Sequence, residues 1–360
     1  NSAKENGGAV YLDKSSNTTV AEENIIKSSI FGTPYQMGNK AKNGGAIYNA
    51  NYVKTTITST SFLNNKADKG GDIYNAGVMT ISNSYFGDFG STIKNGYYVY
   101  SKGGLKRVTS VSKIDKNLNE NLDYTYGQKI EKAISGGAIY NDSTGDLSII
   151  KSTFKNAVAV KGGAIYNDGK TTVTGSTFTN NSADASAGKD ENGGAIYNGG
   201  NLTVSSTKFD KNSANNNGGA IYVAESTTTE ITNSKFTNNT AYKGGALYIT
   251  KGTRQNEETG PIETVVPVVN ISNSTFTNNS ATDGGAIYVG QDSNVTITDS
   301  NFTNNIATNK GGAIYMDKNS TVTINALKTN VTFSGNKAGD NSNSIYMENN
   351  STLNLIANNK

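Results

Sequence analysis

The chain has 360 residues, 34% hydrophobic and 17% charged, with no cysteine, histidine or tryptophan. These absences exclude a disulfide framework, metal ligation by thiolate or imidazole, and histidine-dependent catalysis. The net charge of +3 is carried by lysine, with only two arginines, Arg107 and Arg254, so nucleic acid is not an expected partner.

The chain opens on Asn1-Ser2-Ala3-Lys4-Glu5-Asn6, without an initiator Met or an apolar signal core, and enters partway through a repeat. It reads as a piece cut from a longer precursor. The string Gly-Gly-Ala-(Ile/Val/Leu)-Tyr begins at Gly7 and recurs from Gly44, Gly136, Gly162, Gly193, Gly218, Gly244, Gly284 and Gly311. At Gly70 a variant carries Asp72 where the others have Ala. Degenerate copies lie at Gly96-Tyr97-Tyr98-Val99-Tyr100 and Asn343-Ser344-Ile345-Tyr346. The aliphatic positions step by 26 at Ile47–Ile73, Ile73–Val99, Ile139–Ile165 and Ile221–Leu247, and longer steps mark insertions.

A second element follows each first one. Phe62, Phe154, Phe178, Phe209, Phe236, Phe276, Phe302 and Phe333 each have Ala five residues later, and all but Phe154 have Asn three residues later. Phe31 and Phe86 fit the same place more loosely. An aliphatic residue sits five positions before most of these, as at Ile57, Ile149, Val204 and Ile297. The apolar spacing is two rather than 3.6, which predicts strands and no helix. One repeat therefore reads as three short strands separated by Gly/Asn turns. No apolar run is long enough to cross a membrane as a helix.

This pattern predicts an all-β chain, a single right-handed parallel β-helix over residues 1–360. About a dozen coils at ~4.8 Å would span roughly 55–60 Å. Each coil depends on its neighbours to bury its apolar face. Larger insertions are expected at residues 101–135 and 251–268. In Gly-Gly-Ala-Ile-Tyr-X, Ile shares one face with X, and X is Asn at Asn49, Asn75, Asn141, Asn167 and Asn198 but Val223, Ile249, Val289 and Met316 later. A site that accepts Val, Ile or Met belongs inside, so the Asn copies should form a buried amide ladder and the tyrosines should face outward. The alternative is a tyrosine stack inside.

The paired Gly-Gly-Ala-(Ile/Leu/Val) and Phe-x-x-Asn elements, repeated over nearly the whole chain, resemble the polymorphic membrane protein repeat of autotransporter adhesins. Similar repeats occur in archaeal adhesin-like surface proteins. The resemblance implies a β-helical passenger displayed at the cell surface or outer membrane, or released, and attachment to host cells. Partners would then be a host-cell or matrix protein or a surface glycan, with self-association as a further possibility. Membrane attachment would need a segment this chain does not contain, such as the C-terminal β-barrel of an autotransporter. The chain departs from chlamydial members in having no cysteine.

Candidate contact residues fall in two groups. The insertions hold both arginines, with Arg107, Tyr124 and Tyr126 in the first and Arg254 in the second; excursions from a regular rod are where specific recognition is expected, although solvated decoration is an equal reading. The recurring tyrosines, Tyr140, Tyr166 and Tyr197 among them, would make an amphipathic stripe, or would simply brace neighbouring strands. Asp142 and Asp168 occupy equivalent places in adjacent coils and could approach a glycosidase-like spacing, which makes a polysaccharide lyase or hydrolase the competing function. Ordinary turn chemistry explains them equally well, and no enzyme activity, metal or cofactor is expected. Threonine-rich segments such as Thr171-Thr172-Val173-Thr174 suggest ice binding, but the outward positions mix Thr, Ser, Asn and Lys.

Overall fold

The computed structural model describes residues 1–13, 23–32, 38–87, 97–101, 104–108, 133–184, 190–225, 227–251, 253–255 and 263–357. Three long parallel sheets dominate it. A tyrosine-bearing sheet of eleven strands runs from Val10–Leu12 to Ile345–Met347. A central sheet of eleven runs from Glu23–Lys27 to Thr352–Ala357, and a phenylalanine-bearing sheet of ten from Ile30–Gly32 to Thr332–Ser334. Successive coils pair like residue on like residue, as at Tyr48↔Tyr74, Ile57↔Ile81 and Phe154↔Phe178. The molecule is a parallel β-helix. No helix occurs among the described residues, so none there is long enough to cross a membrane.

At three of the corners in each coil the sequence supplies a residue suited to the backbone. The corner after the central strand holds a left-handed backbone at Ser59, Asn83, Ser206, Asn233 and Asn273, with φ of 47–51°. The corner after the phenylalanine strand does so at Asn64, Asn180, Asn238 and Asn278, with φ of 53–57°. Asn tolerates this region better than most residues. The third corner is the Gly-Gly pair, and its two glycines answer different demands. The first, as at Gly162 (φ 63°), takes the left-handed conformation. The second has no such φ; a Cβ on Gly163 would overlap the carbonyl oxygen of Gly194 in the next coil. Local geometry fixes the first glycine and stacking fixes the second.

The core is built of ladders. Phe62, Phe86, Phe154, Phe178, Phe209, Phe236, Phe276 and Phe302 are fully buried. With Phe31 and Phe333 at the two ends, they stack at centroid distances of 4.6–5.2 Å. Burial of each ring contributes roughly 1.5–3 kcal/mol. The Asn of Phe-x-x-Asn explains the pairing of the two residue types. Asn239 donates through Nδ2 to Asn279 Oδ1 (3.0 Å) and to the carbonyl of Phe209 in the coil below (3.1 Å). Asn181, Asn212, Asn279 and Asn305 repeat this arrangement. The Asn thus ties off the carbonyls of Phe154, Phe178, Phe209, Phe236 and Phe276, where an unpaired one would cost about 1–3 kcal/mol.

The second amide ladder lies where the alternation places it. Asn49, Asn75, Asn141, Asn167 and Asn198 are all fully buried, and each of the first four donates to the next at 2.7–2.8 Å. Asn198 ends the run by donating to Thr229 Oγ1 at 3.1 Å. Beyond it the same corner holds Val223, Ile249, Val289 and Met316, all buried.

Two expectations need correcting. The described residues form eleven coils, and the degenerate copy ending at Tyr100 is not one of them: Ile73–Asn75 pairs directly with Ile139–Asn141. Tyr97–Ser101 instead pairs antiparallel with Gly104–Val108. That copy is followed by no Phe-x-x-Asn element, so it lacks the apolar residues that would fill the other two sides of a coil. The excursion therefore begins after Tyr85–Gly87 and ends before Ala133–Ser135, which pairs with Val158–Lys161 in the body of the helix. Likewise Val268 belongs to the central sheet, and the second excursion carries an antiparallel hairpin of Thr253–Gln255 and Glu263–Val265. The other correction is a short fourth row of strands between the phenylalanine and tyrosine sheets, exemplified by Val158–Lys161 and Ile306–Lys310.

Candidate binding surface

The tyrosines stand on the outer side of their sheet, opposite the buried Ile and X positions. Alternation within three-residue strands such as Ile165–Asn167 enforces this. Eleven of them, Tyr11, Tyr48, Tyr74, Tyr140, Tyr166, Tyr197, Tyr222, Tyr248, Tyr288, Tyr315 and Tyr346, form one continuous stack at 4.7–5.5 Å. Tyr100 is not among them, since Tyr74 stacks directly on Tyr140. Because the rings lie face to face along the axis, each covers its neighbours' faces. Tyr166, Tyr197 and five other members are partly exposed and offer ring edges and hydroxyls to solvent, whereas Tyr140, Tyr288 and Tyr315 are buried.

Two charged columns flank the row, and the sequence reading did not single them out. On one side, Lys69, Lys161, Lys243 and Lys310 each precede a Gly-Gly pair and reach over the ring of the following coil, 4.2–5.6 Å from Tyr140, Tyr197, Tyr288 and Tyr346 respectively. Such contacts contribute about 0.5–1 kcal/mol at exposed sites. On the other side, the residue two places after Tyr is acidic in several coils. Tyr140 Oη donates to Asp168 (3.2 Å), Tyr288 to Asp317 (2.7 Å) and Tyr315 to Glu348 (2.9 Å). The signal was available: Lys before Gly-Gly, and Asp or Glu after Tyr-X.

Burial raises the phenol groups of Tyr74, Tyr140, Tyr166 and Tyr197 well above the ordinary tyrosine range, and neighbouring carboxylates add to the effect. These rings are neutral donors at physiological pH. Asp142 and Asp168 lie in successive coils, as the spacing implied. Burial raises the Asp168 carboxyl; hydrogen bonds from Tyr166 and Tyr140 oppose this, and Asp142 adds to it. The pair is thus held among tyrosine hydroxyls at the edge of the stack. Among the described residues no group of three or more acidic side chains is placed to hold a metal ion.

Of the other candidates, Arg107 lies in Gly104–Val108 opposite Tyr98, and Arg254 in Thr253–Gln255 opposite Thr264, both in antiparallel hairpins outside the coil stack. Tyr124 and Tyr126 lie outside the described residues. The stack of coils therefore brings together Tyr140, Tyr166 and Tyr197 but neither arginine.

The family model for the Chlamydia polymorphic membrane protein (Chlamydia_PMP) repeat matches at residues 175–199, 206–224, 233–250, 273–290 and 299–317. Each match spans a Phe-x-x-Asn element and the Gly-Gly-Ala element after it, so five successive coils are similar to the repeat of this family. No curated protein sequence matches the chain. Among solved structures, the crystal structure of Dettilon tailspike protein (gp208) aligns at 12% identity and a TM-score of 0.34, over 90% of this chain and 61% of the other. The architecture described above rests on the strand pairings alone.

Proposed function

We propose that the chain is the passenger region of a cell-surface adhesin, attaching to a host-cell or matrix protein or to a surface glycan, and that it is not an enzyme. The five matched repeats carry this reading, since they belong to a family of membrane proteins. The geometry supports it in a second way. A stack of eleven coils presents a long rigid support, and its two excursions interrupt an otherwise repetitive exterior. Specific recognition needs a unique constellation, commonly aromatic and arginine anchors, and both arginines fall in the excursions. The tyrosine row contributes edges and hydroxyls beside them rather than flat aromatic platforms.

The experiment is attachment of the purified chain to host cells, matrix proteins and a glycan panel, compared with variants in which residues 88–132 or 252–267 are replaced by a short turn. Each deletion should leave the circular dichroism and melting temperature close to the parent, because flanking coils supply their own cores. At least one should reduce attachment tenfold or more. Unchanged attachment in both would move the site elsewhere. Turnover of an acidic polysaccharide, lost in Asp142→Asn, would replace the adhesin reading with the enzymatic one.

A further inference from the structure

The outer face of the central sheet differs from the rest of the exterior. Each five-residue strand turns its first, third and fifth residues outward, as the burial of Lys170–Thr174 illustrates, with Thr171 and Val173 inside. Register aligns these outward residues into columns that no single strand discloses. The third-residue column reads Ile25, Thr56, Thr80, Ser148, Thr172, Thr203, Glu230, Asn270, Thr296, Thr323 and Asn354, and the fifth is similarly hydroxyl-rich. Apolar side chains are scattered among them. Ile25, Val78, Val268 and Ile356 on this face are between 40% and 57% exposed.

Charge is sparse and balanced in sign, with Glu23, Asp146 and Glu230 against Lys27, Lys54 and Lys170. Lys54 pairs with Glu23 at 3.6 Å and Lys170 with Asp146 at 3.1 Å. Glu230 accepts a hydrogen bond from Asn270 Nδ2 at 2.6 Å. The tyrosine side, by contrast, carries its columns of lysines and carboxylates.

We propose that this face pairs with the same face of a second copy of the chain, in a two-fold, antiparallel, side-by-side dimer. Three arguments select that occupant. A nearly uncharged face meets its own twin without like-charge repulsion, which the lysine-bearing sides do not. A self-complementary surface of small hydroxyl and aliphatic side chains can interdigitate, as packed sheets do at ~10 Å. The area also suffices. Eleven strands at ~4.8 Å by five residues at ~3.3 Å give a face of about 800–900 Å², close to the ~800 Å² per partner of a standard interface. Overlap of half the rod would fall well short, so the pairing runs full length.

The register is then determined. Asn201–Ser205 is the sixth of the eleven central strands, so a two-fold axis through it sets Thr203 against Thr203 of the partner. Lys54–Thr58, the second strand, lies opposite Thr321–Ala326, the tenth. This pairing stands apart from whatever the rod attaches to, so its failure and that of the adhesin reading are separately visible.

The chain has no cysteine, which makes single-cysteine variants clean probes. Sedimentation of the whole chain should show a monomer–dimer equilibrium. A short bis-maleimide should link Thr203→Cys into dimers and leave Thr56→Cys largely unlinked. Thr203→Lys should weaken dimerisation at least tenfold while circular dichroism and melting temperature stay unchanged. A monomer at every concentration tested would overturn the proposal. So would equal cross-linking of both cysteine variants, or a dimer indifferent to Thr203→Lys. Retention of a neutral polysaccharide by a monomeric chain, lost in Thr203→Lys, would assign the face to a glycan instead.

Discussion

The corner between the tyrosine and central sheets is built twice, with different chemistry at the same buried position. In the first half of the rod it holds the amides of Asn49, Asn75, Asn141, Asn167 and Asn198; in the second it holds Val223, Ile249, Val289 and Met316. The adjoining inner position of the central strand mixes Thr55 and Thr171 with Met79, Leu147 and Leu202 in the first half, and holds only valines in the three coils after Thr229. Thr55 donates to Asn49 Oδ1 at 2.8 Å and Thr171 to Asn167 Oδ1 at 2.7 Å, whereas Val269, Val295 and Val322 occupy that place later. At the corner a stacked fold accepts either chemistry provided each polar side chain finds a partner above, below or, like Thr55 and Thr171, beside it. An amide between amides is bonded on both sides, and a valine between valines needs no bond. The cost lies at a mismatch, and this column has two: Leu12 against Asn49 at its N-terminal end, and Asn198 against Val223, where Asn198 finds Thr229 instead.

The largest expected effect is a control common to both halves. Phe154→Ala in the amide half and Phe236→Ala in the apolar half should each cost about 3–5 kcal/mol in denaturant unfolding, because both rings are fully buried between stacked neighbours. Very unequal costs would mean that the halves differ by more than one corner.

The next concerns Asp72, the single acidic residue at the Ala position of a repeat. It is buried, accepts a hydrogen bond from Asn65 Nδ2 at 2.8 Å, and burial pushes its carboxyl up to about 7, with that hydrogen bond opposing. The folded chain therefore holds a proton there that the unfolded chain releases near pH 4. Stability from this group is fully present below about pH 4, falls as pH rises through about 7, and is level above that. The loss amounts to at most about 4 kcal/mol. Asp72→Ala, restoring the residue found in other copies, should abolish that part of the pH dependence and raise the neutral-pH melting temperature. Parallel pH–stability curves for the two proteins would refute this.

Crossing the two chemistries should cost somewhat less. Asn141→Val removes a partner from both Asn75 and Asn167, and Val289→Asn buries an amide among apolar side chains; each should cost about 1–3 kcal/mol. The smallest effect should come from the largest change. Replacing Asn49, Asn75, Asn141, Asn167 and Asn198 by Val, with Thr55, Thr171 and Thr229 also made Val, removes donors and acceptors together and should stay within about 1 kcal/mol of the parent. The carbonyls of Val53, Gly77 and Gly145 keep backbone donors from Val78, Asp146 and Lys170 in that variant. If it proves far less stable than Asn141→Val alone, the amide ladder contributes more than matched pairing.

Much of this was legible in the sequence, because each coil is a local unit with a fixed period. The recurrence of Gly-Gly-Ala-Ile-Tyr and Phe-x-x-Asn dictated strands, corners, the buried phenylalanines and the amide ladder, since alternation leaves each side chain one of two faces. Phe31 and Phe86, loose matches by spacing, also entered the ladder. What the tertiary structure alone decided is which coil rests on which, and everything that follows from contact along the axis. Gly96–Tyr100 carries the tyrosine signature yet is passed over, because a strand joins the stack only if the two elements after it can close a coil. The tyrosines face outward as alternation requires, but stacking consumes their faces and the flanking lysines and carboxylates engage their rings and hydroxyls. The threonines looked irregularly mixed along the chain and fall into columns only once register sets each strand against the next. Period and alternation are properties of a segment, whereas register is a property of two segments distant in sequence, and only the fold brings them together.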